Sequence, residues 1–108
     1  MKRGGRLRRM SPKRRALLPE RRALLERLYT LAGDRCEYCR RPTCQPLDGH
    51  EVRKPRARYW LDPEYVVILG RPHHDMAEAA FGTGRLVITG TRSTGWGMYV
   101  DTKAAKWV

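Results

Sequence analysis

Apolar residues recur at helical spacing in only one long stretch. Leu24, Leu25, Leu28, Leu31 and Ala32 form a stripe, and Arg21, Arg22, Glu26 and Arg27 occupy the other face. The pattern predicts an amphipathic helix with its leucines in the core. Its start is marked twice. Ser11-Pro12 offers a capping hydroxyl and a proline for the first turn, and Pro19 interrupts and restarts the helix. Gly33 supplies the stop. Tyr65 to Leu69 (YVVIL) is an unbroken β-branched run, which predicts a buried strand ended by Gly70. Arg71-Pro72 leads into a helix over roughly His73 to Phe81, where Ala77, Ala79 and Ala80 favour helix. Arg85 to Thr89 (RLVIT) and Met98 to Asp101 (MYVD) predict two more strands, joined by the glycine-rich loop GTRSTGWG. RCEYCRRPTCQPLDGHEV, ahead of the first strand, is turn-rich, and Arg53 to Arg58 (RKPRAR) reads as a basic loop. Residues 1–10 have almost no apolar period and read as a disordered arm.

Length and charge narrow this α+β pattern. A chain of 108 residues supports one domain with a modest core. Residues 1–27 hold eleven of the 23 Lys+Arg against only Glu20 and Glu26, so this arm carries +9 of the net +12. Such a basic arm is an electrostatic footprint for a polyanion, most often nucleic acid. Arg8, Arg9, Arg14 and Arg15 are its candidate phosphate contacts, and Arg53, Lys54, Arg56 and Arg58 are those of the basic loop. Tyr59, Trp60, Trp96 and Trp107 are candidates for base stacking or for the core. No run approaches the roughly 18 apolar residues of a membrane span, and the basic start lacks the apolar stretch of a secretory signal. The expected compartment is the cytoplasm. There, three cysteines with two spaced as Cys36-x2-Cys39 favour metal over a disulfide.

The chemistry-bearing residues come in a fixed order: Cys36-x2-Cys39, then Asp48-Gly-His50-Glu51, then LDPEYVVILGRPHHDM with His73-His74. That order resembles the HNH endonucleases, a ββα-metal family. In that family a zinc-binding CxxC comes first. A strand ending in Asp-His or His-His follows, then a loop, a second strand and a helix. The resemblance covers residues 34–82 and is nearest to small phage-encoded HNH proteins. It implies a zinc-stapled ββα-metal core over residues 34–82, after a basic arm (1–11) and a helical segment (12–33). A C-terminal β-hairpin (83–108) would pack on that core.

The same resemblance implies two metals. Gly70 and His73 stand where the family has its second zinc-binding cysteine pair, so a structural Zn²⁺ would fall to Cys36, Cys39, His73 and the one spare thiol, Cys44. His74 matches the helix histidine that binds the catalytic Mg²⁺, Mn²⁺ or Ni²⁺. Neighbours on a helix point about 100° apart, so His73 and His74 would serve different ions. Two registers remain open on the first strand. In one, His50 is a ligand and Glu51 the general base. In the other, His50 is the base and Asp48 the ligand, an arrangement in which both share a strand face. The family's central asparagine falls on Tyr65, and the chain has no asparagine.

The implied function is metal-dependent hydrolysis of phosphodiester bonds in double-stranded DNA, by an accessory phage nuclease acting in the host cell cytoplasm. No small-molecule substrate or membrane is expected, and a phage or host protein is a conceivable partner. The alternative is an HNH fold without catalysis that serves as a zinc-containing DNA-binding or host-protein-binding module.

Overall fold

Ser11 caps the first helix as the sequence asks. Its Oγ accepts the Arg14 N–H at 3.1 Å, and Pro12 occupies the first turn of α1 (Pro12–Ala16). Leu17 breaks the helix, and α2 (Leu18–Leu31) restarts with Pro19 in its own first turn. The structure is a computed structural model that describes residues 11–79 and 82–104. The basic arm with Arg8 and Arg9, the expected helix end at Phe81, and Trp107 lie outside the described residues. At the end of α2, Gly33 at φ +68° lets the Asp34 N–H reach the Tyr29 carbonyl at 2.8 Å and the Gly33 N–H reach that of Thr30 at 3.0 Å. This is a Schellman stop, which requires a residue tolerant of the left-handed region.

The polar face of α2 needs one correction. Arg21 was expected in solvent but is buried on the same face as Leu24 and Leu28. Spacings of three and seven residues place it there. Leu31 was expected in the stripe but is 71% exposed, and Ala32 fills the last core position.

Strands β1 (Leu47–Glu51) and β2 (Val66–Gly70) pair antiparallel, with Asp48 opposite Leu69 and His50 opposite Val67. Every residue of β2 is buried. Val66 and Ile68 pack on Leu24, Leu28 and Ala32 of α2, and Val67 and Leu69 pack on Cys36, Cys44, Ala77 and Leu86. Coverage of both faces explains the unbroken apolar run, because no residue of β2 is left to face water. Burial of such side chains contributes about 1.5–3 kcal/mol each. The strand starts one residue later than expected. The Asp62 carboxylate accepts the Glu64 N–H at 3.0 Å and fixes a 3-10 turn over Pro63–Tyr65.

Helix α3 (Arg71–Glu78) follows β2 without a loop. It begins two residues earlier than expected because Pro72 sits inside its first turn, where a missing N–H leaves nothing unsatisfied. It ends at Glu78, where Ala79 turns extended. The final pair, β3 (Arg85–Thr91) and β4 (Gly95–Asp101), is longer than the sequence suggests. Most of the expected glycine loop belongs to the ladder, with Thr89 opposite Gly97 and Gly90 opposite Trp96. Glycine lowers strand propensity, which hides these positions.

Arg92 secures the tip of this hairpin. It donates to Glu37 Oε2 at 2.8 Å, to the Val66 carbonyl at 2.7 Å and to the Pro63 carbonyl at 3.2 Å. Glu37 in turn accepts the Ile68 N–H at 2.8 Å. The described residues thus form an α+β arrangement of three α-helices and two antiparallel strand pairs. Among them, no helix is long and apolar enough to cross a membrane.

Candidate metal centres

Two groups of metal-ligating side chains lie on either side of the β2–α3 junction. The first joins Cys36 and Cys39 of the turn after α2, Cys44 of the next loop, and His73 of α3, with one ligand atom from each within 4.8 Å of the others. His73 Nδ1 stands 3.5 Å from Cys36 Sγ and 3.3 Å from Cys44 Sγ. A tetrahedral zinc with bonds of about 2.3 Å to sulfur and 2.05 Å to nitrogen has S···N edges of about 3.6 Å, so the spacing fits the ion. The turn that presents Cys36 and Cys39 is closed by Arg40, at φ +61°, whose N–H bonds the Cys36 carbonyl at 2.8 Å. The Tyr38 ring meets the His73 ring edge-on at 4.8 Å.

Gly70 explains why Cys44 can be the fourth member. A Cβ at position 70 would overlap Cys44 Sγ and stand 2.5 Å from the Cys44 carbonyl oxygen. The space that any other residue would fill is where the Cys44 loop lies. Burial raises the Cys36 thiol, but hydrogen bonds from the backbone of Cys39, Gly70 and Tyr38 outweigh it and leave Cys36 below the ordinary thiol range. Cys44 is pushed up to about 12 by burial and by the neighbouring Cys39 and Cys36 sulfurs. Three thiolates this close need a cation to share the deprotonated state. Burial, then Arg41, lowers the His73 imidazole, which keeps it neutral and able to ligate.

The second group is His50, His74 and Glu78, whose ligand atoms also fall within 4.8 Å of one another. His50 Nδ1 lies 2.9 Å and His74 Nε2 3.1 Å from the same oxygen, Glu78 Oε2. His74 and Glu78 share a helix face at i and i+4. Asp48 Oδ2 lies 3.0 Å from His74 Nδ1 and is held by Arg71, whose Nε donates to it at 2.6 Å. With Asp48 accepting the Nδ1–H, the His74 ring would turn Nε2 toward Glu78, where the two could share an ion. This is the carboxylate–histidine pattern that orients metal ligands. Burial above all pushes His50 down to about 4, so its ring is neutral at neutral pH. Burial raises Glu78, but the Arg56 guanidinium, which hydrogen-bonds its Oε1, and then His50 bring it below the usual carboxylate range. Asp48 is likewise raised by burial but lowered further by Arg71 and His74.

Strand alternation thus puts Asp48 and His50 on the face that meets His74 of α3 and separates them from Glu51. Glu51 faces α2, where its Oε2 accepts from Arg21 at 2.7 Å, both side chains being only about a tenth exposed. Arg21 also donates to the Trp60 carbonyl and stacks on the Trp60 ring. Glu51, one of the two candidates for general base, is engaged in this ion pair and stands outside the His50, His74 and Glu78 group. Glu78 was missed. Its signal was the His74-x3-Glu78 spacing on a helix.

The basic residues divide. Arg56 reaches Glu78, and Lys54 lines a cleft beside His50. Arg53 and Arg58 stack instead on Tyr59, and Arg53 also bonds the Tyr65 hydroxyl at 3.0 Å. Arg14 lies over Trp60 at 4.7 Å, and Arg15 is exposed on α1. Trp96 packs half-buried against the core under Arg92.

Compared with protein-family models, with curated proteins and with solved structures, the chain matches none.

Proposed function

We propose that the protein is a metal-dependent DNA endonuclease of the HNH type, with a structural zinc at Cys36, Cys39, Cys44 and His73. The reading is carried by the convergence of His50, His74 and Glu78 on one point, beside a cleft lined by Lys54 and Arg56. Two imidazole nitrogens and one carboxylate suit Mn²⁺, Ni²⁺ or Zn²⁺ better than Mg²⁺, which prefers oxygen ligands throughout. His50, His74 and Glu78 would hold a divalent cation, which would supply a Lewis acid for the phosphodiester.

The protein's own residues do the rest. Burial keeps His50 unprotonated, so its lone pair is available at neutral pH. Asp48 fixes the His74 ring, and Arg71 holds Asp48 in turn. Arg56 offsets the charge of Glu78, and it lines the cleft offered to the substrate. The basic arm and loop supply the sequence-independent attraction to DNA.

Nicking of supercoiled plasmid across Mg²⁺, Mn²⁺, Ni²⁺ and Zn²⁺ tests the reading. Wild type should nick with at least one ion. His74→Ala and Glu78→Gln should abolish nicking, while each retains zinc and melts as a folded protein. A wild type that is no faster than His74→Ala with every ion would overturn the enzyme reading in favour of a zinc-containing binding module.

A further inference from the structure

The cleft beside His50 has a wall that the ββα core does not provide. Its volume is about 160 Å³, and it is lined by His50 and Ala77, by Arg85 and Leu86 at the start of β3, and by Lys54 and Arg56. One water needs about 10–15 Å³ of such space, so the cleft has room for a phosphate group. His50 belongs both to the metal-ligating group and to this cleft, so the two spaces adjoin.

The charges around the cleft are unbalanced. Glu51 also borders it, but its carboxylate is engaged by Arg21. Arg56 is engaged by Glu78. Lys54 and Arg85 have no ion-pair partner among the described residues. Across the ladder Arg85 faces Asp101, whose Oδ1 instead accepts the Lys103 N–H at 3.0 Å. Two unpaired cations lining one small cleft repel each other, and an anion between them removes that cost. The backbone of Arg85 is fixed by its pairing in β3, and the neighbouring Leu86 is 2% exposed and anchored in the core. The guanidinium is therefore presented from a rigid element, as recognition of a phosphate by Arg requires.

We infer that Arg85 and Lys54 form a phosphate subsite, which holds a DNA backbone phosphate next to the one presented to His50, His74 and Glu78. The inference rests on the nuclease reading above. It makes the C-terminal hairpin part of the substrate site, and Arg85 a positioning residue for the strand.

The test is binding of a fluorescein-labelled 20-base-pair DNA duplex by the full zinc-loaded chain, without added Mg²⁺ or Mn²⁺, as a function of salt. Each neutralised phosphate contributes about 0.9 to the slope of log K against log salt, which is about 3.5-fold in affinity between 50 and 200 mM. Arg85→Gln should lower the slope by part of that increment, Lys54 retaining the rest, and Arg85→Lys should restore it. Lys54→Gln with Arg85→Gln should lower it by one increment rather than two, because both act on one phosphate. In nicking, Arg85→Gln should raise KM and leave kcat unchanged, the signature of uniform binding.

An unchanged slope in Arg85→Gln, or a decrease that Arg85→Lys fails to restore, overturns the subsite. If wild type nicks and Arg85→Gln matches it in binding and rate, the subsite falls and the nuclease reading stands. If wild type never nicks but its binding depends on Arg85, the nuclease reading falls and the phosphate subsite stands. No binding of the duplex by wild type overturns both.

Discussion

Gly70→Ala probes the proposed zinc site at a residue outside the Cys36, Cys39, Cys44 and His73 cluster. The added Cβ would overlap Cys44 Sγ and stand 2.5 Å from the Cys44 carbonyl oxygen and 2.8 Å from its carbon. Ordinary carbon contacts begin at about 3.5 Å, so Cys44 must retreat by roughly 1 Å. Metal sites tolerate about 0.2 Å in ligand distance, so that retreat costs the sulfur ligand. Strain alone would contribute about 1–3 kcal/mol. Loss of a structural metal belongs to the class of changes above about 4 kcal/mol. The total stability of a chain of this length is about 5–16 kcal/mol, so the loss is a large share. At about 4–8 °C per kcal/mol, the melting temperature should fall by roughly 15–30 °C.

Gly49→Ala is the matched control. Its Cβ would meet the end of the Leu25 side chain, with Arg21 Nη2 at 3.1 Å and Val66 Cγ1 at 3.3 Å, on the face away from the cysteines. It should destabilise by about 1–3 kcal/mol and keep its zinc. Elemental analysis of proteins purified without added metal, paired with thermal unfolding, reads both quantities. About one equivalent of zinc is expected for wild type and Gly49→Ala, and well below one for Gly70→Ala. Gly70→Ala with a full equivalent and a wild-type melting temperature would refute the placement of Cys44 in the site.

Glu51→Gln should act on stability rather than chemistry: a loss of about 1–3 kcal/mol from the buried Arg21 partnership, with nicking well below the melting temperature close to wild type. A rate drop of about 10²–10⁴ without loss of stability would restore Glu51 as general base. Deletion of residues 1–10, which carry Lys2, Arg3, Arg6, Arg8 and Arg9, should flatten the salt dependence of duplex binding. The slope should fall by roughly 0.9 for every phosphate that the arm neutralises. An unchanged slope would assign the arm to something other than DNA.

Short-range chemistry was legible in the chain itself. Ser11 and Pro12 start α1, Pro19 restarts the chain into α2 and Gly33 ends it, because caps and stops are decided within one turn of helix. The β-branched run of β2 was legible because its residues favour strand, and the resemblance to the HNH family implied the grouping of Cys36, Cys39, Cys44 and His73. The glycine-rich ladder of β3 and β4 was not, because its stability comes from cross-strand pairing and from Arg92, which lies 55 residues from Glu37.

The sequence by itself determined which residues could do chemistry. Only the tertiary structure decided which of them meet. Asp48, His50 and Glu51 are near neighbours in the chain, yet pleating sends the first two toward α3 and the third toward α2. Glu78 joins the histidines only because α3 packs across β1, and Arg85 reaches the adjoining cleft only because β3 packs on α3. The side of a strand or helix that a residue faces depends on what packs there. Such packing joins residues far apart in sequence, and no local window of the chain contains it.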